Sequence, residues 1–150
     1  MLNRFFILLV SVFVFNNIEA QTKSTSQKIL SFCDLNKGKK VGKGECWDLA
    51  KEALNASGAV WTPPYAFGKE LKKKDAILPG DIVQFEKVTI EYPDGSWKEL
   101  PHHTAIIYSV ISPGKYTLAE QNANGKRFVI FSEIDLNYVK KGKYTFYRPQ

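Results

Sequence analysis

Leu78-Pro79-Gly80-Asp81-Ile82-Val83-Gln84-Phe85 is the stretch at which this chain changes its period. Pro79-Gly80-Asp81 has turn chemistry: proline presets one backbone angle, glycine accepts a positive one, and aspartate binds nearby backbone N–H groups. Asp81 therefore reads as the residue that fixes its turn rather than as a catalytic acid. From Asp81 onward, β-branched and aromatic residues recur at strand spacing. The pattern predicts strands near 82–91, 97–100, 103–111, 115–121, 127–132 and 143–148. Pro93-Asp94-Gly95, Ser112-Pro113-Gly114 and Ala123-Asn124-Gly125 supply turns among them.

Upstream of this point the spacing is helical. Ile29, Phe32 and Cys33 fall at i, i+3 and i+4, which predicts a helix from about Ser26 to Asn36 with Gly38 as its stop. A basic, glycine-punctuated loop follows, Gly38-Lys39-Lys40-Val41-Gly42-Lys43-Gly44. A second helix is predicted from Glu45 or Cys46 to about Ala56, ended by Gly58, with Cys46, Leu49, Ala50, Ala53 and Leu54 on its inner face. Residues 59–80 read as an irregular, aromatic and proline-bearing segment. Helices first and strands afterwards predict an α+β fold, with N-terminal helices packed on an antiparallel sheet.

The first twenty residues stand apart. Arg4 precedes an apolar run from Phe5 to Phe15 broken only by Ser11, and Ala20 follows at a cleavage-like position. This is the three-part pattern of a secretory signal peptide, and the run is shorter than the about 20 residues that span a bilayer. The sequence thus divides into a signal peptide (1–20), a polar N-terminal arm (21–27) and one domain (28–150). The predicted location is secreted or periplasmic, with no stable membrane insertion after cleavage. Of the 150 residues, 44% are hydrophobic and 13% aromatic, enough for one core of ordinary size. A monomer is expected.

Reactive groups are scarce. With 2 Cys and 2 His, neither a four-cysteine zinc site nor a three-histidine zinc centre can be built. His102 and His103 are adjacent and on a strand would point to opposite faces, so no metal is expected. No cofactor is expected either. Net charge is +6, and the clusters Lys39, Lys40, Lys43 and Lys69, Lys72 to Lys74 read foremost as solvated surface. No motif points to nucleic acid.

A cysteine nucleophile needs partial exposure, a stabilised thiolate and a base within reach. Cys46, at the first turn of a helix, lies where unpaired N–H groups favour a thiolate. Taken alone, it reads equally as core packing. Cys33 sits mid-helix on an apolar stripe and reads as a buried small hydrophobe. His103 opens a strand and is the candidate base. A hairpin joining 103–111 to 115–121 would bring Glu120 or Asn122, two apart and hence on one strand face, to orient its ring. Trp47 follows the nucleophile and reads equally as cleft wall or packing. Trp61, Tyr65 and Phe67 form either a substrate platform or a set of loop anchors.

Four segments together resemble the CHAP domains, cysteine- and histidine-dependent amidohydrolases/peptidases related to the NlpC/P60 family. They are Gly44-Glu45-Cys46-Trp47-Asp48-Leu49-Ala50, the Leu78–Phe85 stretch, His102-His103-Thr104-Ala105-Ile106-Ile107, and Glu120-Gln121-Asn122. They occur in the family's order and at similar separations. The resemblance implies a papain-like fold. It implies Cys46 as nucleophile, His103 as base and then acid, Glu120 as the group orienting the ring, and Asn122 as its support. It further implies that the Cys46 N–H helps bind an oxyanion and that the substrate is a peptide amide, typically in peptidoglycan; Glu45, Trp47, Trp61 and Tyr65 are the candidate substrate-binding residues around such a site. Glu45 departs from the family's usual glutamine. Pointing inward it would oppose a thiolate; pointing outward it is a favourable first-turn acid. The GECW segment also resembles, more remotely, the cysteine-proteinase-fold domain at the C-terminus of a fungal actin-patch, myosin-tail-interacting protein, where hydrolysis is not the implied role. Three functions follow as expectations: an exported cysteine amidohydrolase, a non-catalytic binding module on the same fold, or an exported toxin or effector using the same site.

Overall fold

The computed structural model describes residues 24–150. The predicted signal peptide and the first residues of the predicted arm lie outside them. Helix α1 spans Thr25–Asn36 and α2 spans Cys46–Ser57. The strands are β1 Lys69–Glu70, β2 Ile82–Glu91, β3 Trp97–Ser112, β4 Lys115–Glu120, β5 Ile130–Asp135 and β6 Val139–Arg148. They form one sheet in the order β1-β6-β2-β3-β4-β5, antiparallel at every pairing. The α+β reading therefore holds, with both helices ahead of the main sheet.

Several boundaries differ from the sequence reading. The arm is shorter than predicted, because Thr25, Ser26 and Gln27 already belong to α1. Ser24 caps that helix: its Oγ accepts from Gln27 N at 3.3 Å, while Gln27 Oε1 accepts from Ser24 N at 2.8 Å. The predicted strands 97–100 and 103–111 are one strand, β3. Pro101 lies opposite Lys87, the β2–β3 ladder omits that pair, and Lys87 takes a φ of +52°. The β2–β3 register continues unshifted past this point, so the missing proline N–H costs one pair without ending the strand, while a bulge between Glu86 and Thr89 lies on the other side of β2, against β6. Gly142 makes the bulge fit, since at φ +92° a Cβ there would stand 2.3 Å from the Lys87 carbonyl oxygen. β5 starts later than predicted, β6 starts earlier, and the short edge strand β1 was not foreseen.

Alternation along the strands divides the apolar residues between two clusters. Ile82, Ile106 and Ala119 face Ile29, Cys33, Leu49, Ala53 and Leu54 of the helices. Their neighbours Val83, Ile107 and Leu118 point the other way and pack with Phe85, Ile90 and Ile134. Each fully buried leucine, isoleucine or phenylalanine contributes about 1.5–3 kcal/mol relative to exposure, so the sheet is held from both faces.

Asp81 does what its turn predicted. Its carboxylate accepts from Leu78 N at 2.8 Å and from Arg148 Nε and Nη2 at 2.9 and 2.8 Å. The carboxylate is buried and bidentate, which ties the start of β2 to the end of β6.

Candidate active site

The glycine loop delivers Cys46 to the start of α2. Asp48 closes that loop from within the helix. Its Oδ2 accepts from Lys43 N at 2.8 Å and Glu45 N at 3.1 Å, satisfying N–H groups that the turn would otherwise leave unpaired. Gly42 permits the approach: a Cβ there would lie 2.9 Å from the Asp48 carboxyl carbon. A second clamp comes from the sheet. Gln121, with no exposed surface, accepts from Val41 N at 3.1 Å and donates to Val41 O at 2.9 Å and Glu45 O at 2.8 Å. The sequence reading passed over Gln121; its polarity between Glu120 and Asn122 gives no hint that the loop folds onto it.

Cys46 and Cys33 are both free thiols. Cys33 is buried, and burial first, then nearby Asp34, pushes it up to about 12, so it stays a thiol. Cys46 is half-buried. Burial raises its pKa, but a hydrogen bond from the His103 ring, backbone N–H groups of Thr104 and Trp47, and the imidazolium charge outweigh it and bring it below 9.0. The Cys46 N–H is the first of the helix and has no acceptor within it, which leaves it free for a developing oxyanion.

His103 Nε2 lies 2.6 Å from Glu120 Oε2, in a pair that is almost fully buried. Nε2 is thereby committed to the carboxylate, and Nδ1 is the nitrogen left for the Cys46 sulfur. Burial opposes charge on the ring, yet Cys46 and Glu120 together raise it from 6.5 to about 9. Phe85, the cross-strand partner of His103, stacks on the ring at a centroid distance of 6.3 Å and an interplanar angle of 26°. Glu120 has no exposed surface. Burial raises its pKa, but the His103 hydrogen bond, the Lys98 charge and the Ser132 hydroxyl hold it below the usual carboxylate range. The three shifts run in the directions that favour a thiolate–imidazolium pair backed by a carboxylate.

Asn122 is not part of that set. β4 ends at Glu120, and Asn122 turns into the left-handed region at φ +56°, so strand alternation no longer carries it to the face of Glu120. Its Nδ2 donates instead to Glu45 Oε2 at 2.8 Å. Arg127 donates to the other Glu45 oxygen and, at 3.1 Å, to the Lys43 carbonyl. Glu45 is thus partly exposed and paired with a cation beside Cys46. Its charge is compensated rather than aimed at the sulfur. Arg127 is a further residue the sequence reading missed, because a lone basic residue in a loop carries no positional signal.

The aromatic residues assemble next to this mouth. Trp47 lies 6.1 Å from Trp61 and 6.2 Å from Tyr65, and Tyr65 meets the His102 ring edge-on at 4.8 Å. Trp61 also packs against the helix-side core and donates its Nε1–H to Asn55 Oδ1 at 3.1 Å, so it anchors the loop as well. Tyr65 is exposed. His102 points away from His103, toward Gln84 Nε2 at 3.4 Å. Among the described residues no group of three or more metal-ligating side chains occurs.

A thiol at a helix start, met by an imidazole and a buried carboxylate from an antiparallel sheet, defines the class: a cysteine-proteinase fold of papain-like kind. The chain belongs to the AIM3/BBC1 cysteine proteinase-fold domain family, whose model matches residues 15–150. The remoter of the two resemblances in the sequence is the one this match carries; the chain's papain-like fold is common to both. A curated relative, "Altered inheritance of mitochondria protein 3" of Debaryomyces hansenii, is 27% identical over 158 aligned positions covering 89% of this chain. The chain spans only 17% of that protein's length. Among solved structures, Ly7917 superposes with a TM-score of 0.57 at 18% identity, over 84% of this chain and 63% of its own. Ly7917 with the hydrolyzing product of MDP gives 0.54 at 18% identity, over 83% and 63%. At that identity the likeness is one of fold.

Proposed function

We propose that this domain is a cysteine amidohydrolase of CHAP type, with Cys46 as nucleophile. The observation that carries the reading is the Cys46–His103–Glu120 set, with the thiol's pKa lowered and the ring's raised to about 9. In the reaction, the Cys46 thiolate attacks an amide carbonyl carbon and the Cys46 N–H takes up part of the oxyanion charge. The C–N bond breaks as His103 gives its proton to the departing amine, leaving a thioester. Water then attacks the thioester while His103 takes its proton, which releases the acid and restores the thiolate–imidazolium pair. Glu120 keeps the ring oriented and charged throughout. Trp47, Tyr65 and Glu45 border the incoming chain.

A peptidoglycan-derived amide is the proposed substrate. Its support is the fold shared with a protein solved alongside the hydrolyzing product of MDP, together with the signal-peptide pattern of residues 1–20, which is consistent with action outside the cytoplasm. A non-catalytic binding module is the second reading. It is favoured by a carboxylate, Glu45, immediately before the nucleophile and by a family match to a fungal protein not named as a hydrolase. The experiment is incubation of the protein with purified peptidoglycan and with MDP, scored for new amines by mass spectrometry, with Cys46→Ala as control. Release by the unaltered protein alone supports the hydrolase. No release, or equal release by both, overturns it.

A further inference from the structure

The two carboxylate oxygens of Glu120 serve different sides. Oε2 faces His103 Nε2 at 2.6 Å. Oε1 accepts from the Ser132 hydroxyl and lies 3.8 Å from Lys98 Nζ. Lys98 and Ser132 sit on β3 and β5, the strands flanking Glu120 on β4, and both line a surface cleft of about 650 Å³ that neither Cys46 nor His103 lines. Glu120 is therefore the buried partition between that cleft and the thiol. We propose that Lys98 is a positioning residue for the thiol site, supplying the second cation that balances Glu120 from behind while Ser132 fixes the carboxylate's orientation.

The reason is charge balance. The groups facing Glu120 are His103 and Lys98 from β3 and Ser132 from β5; Cys46 of α2 reaches it through His103. With Lys98 present, thiolate, imidazolium, carboxylate and ammonium sum to zero. Without it, the same reactive state carries one uncompensated negative charge in a poorly solvated place. Such a cluster takes up a proton more readily at each of its sites. The proton that ends reactivity is the one that returns to Cys46. Removing Lys98 therefore moves thiolate formation to higher pH, whereas an arginine in its place retains the balance.

This inference rests on the proposed thiol reading, and the test separates the two. The full chain is alkylated with iodoacetamide across pH 5 to 9, and Cys46 modification is followed by mass spectrometry; Cys33 is buried and does not compete. In the unaltered protein, reactivity should extend well below the range of an ordinary thiol. Lys98→Met should displace the acidic limb upward by about one pH unit, roughly a tenfold slower reaction below the midpoint, and Lys98→Arg should restore it. Lys98→Gln, which keeps a hydrogen-bonding head, gives the same displacement if the methionine variant does not fold. Profiles that coincide for the unaltered, neutral and arginine proteins overturn the role of Lys98 and leave the thiol reading standing. An unreactive Cys46 in the unaltered protein overturns both.

Discussion

Replacing Gln121 by leucine should weaken the whole domain and loosen the loop that leads into Cys46 at once. Leucine has a similar volume and no polar atoms, so the site stays filled while three hydrogen bonds vanish. Val41 is buried, and its N–H and C=O both lose their partner. A buried polar group left unsatisfied costs about 1–3 kcal/mol. The Glu45 carbonyl, only part-buried, recovers much of its loss by hydration. The sum is about 3 kcal/mol, with much of it falling on residues 41–45. Urea unfolding of the full chain, fitted with a common slope, should show that loss, and thermal melting should fall by about 10 °C. Amide exchange of Val41 and its neighbours should accelerate more than that of β2, because the clamp is local. A stability change below about 0.5 kcal/mol would refute the reasoning, since Gln121 would then behave as an exposed polar residue.

Three other outcomes follow from the same geometry. Glu120→Gln keeps shape but removes the charge beside His103; an opposite charge at that distance is worth about 1–3 pH units, so the ring's midpoint in an NMR titration should fall by about that much. An unchanged midpoint in the folded variant would show that Glu120 is only structural. Partners that favour the imidazolium raise the pKa of His103, so NMR titration of its ring should place the midpoint near 9 rather than at 6.5; a midpoint at or below 6.5 would dismiss the ion-pair resting state. Asp81→Asn breaks a part-buried bidentate pair with Arg148 and should destabilise the fold by about 1–3 kcal/mol in urea unfolding while leaving the His103 titration where it was.

The comparison of sequence with structure turns on where local rules stop. Period alone located α2, and with it the placement of Cys46 at a helix start, because a glycine loop and an amphipathic face are short-range properties. The β3–β4 hairpin was equally legible, and it brings Glu120 to His103. Pro101 misled the strand reading, since a proline normally interrupts a ladder and only the partner strand shows that the register continues unshifted past it.

The sequence by itself determined the α+β order of elements, the turn chemistry of Asp81 and the short list of reactive side chains. Only the tertiary structure decided among them. Glu120 and Asn122 were equivalent by alternation until the chain left the strand at Glu120 and turned left-handed at Asn122, sending one carboxylate to His103 and one amide to Glu45. Gln121, Arg127, Lys98 and Ser132 acquire their roles from segments remote in the chain, or from neighbouring strands whose register no single strand specifies. Periodicity reports which face a residue occupies. What stands opposite that face is set by packing, and the lowered pKa of Cys46 depends on it.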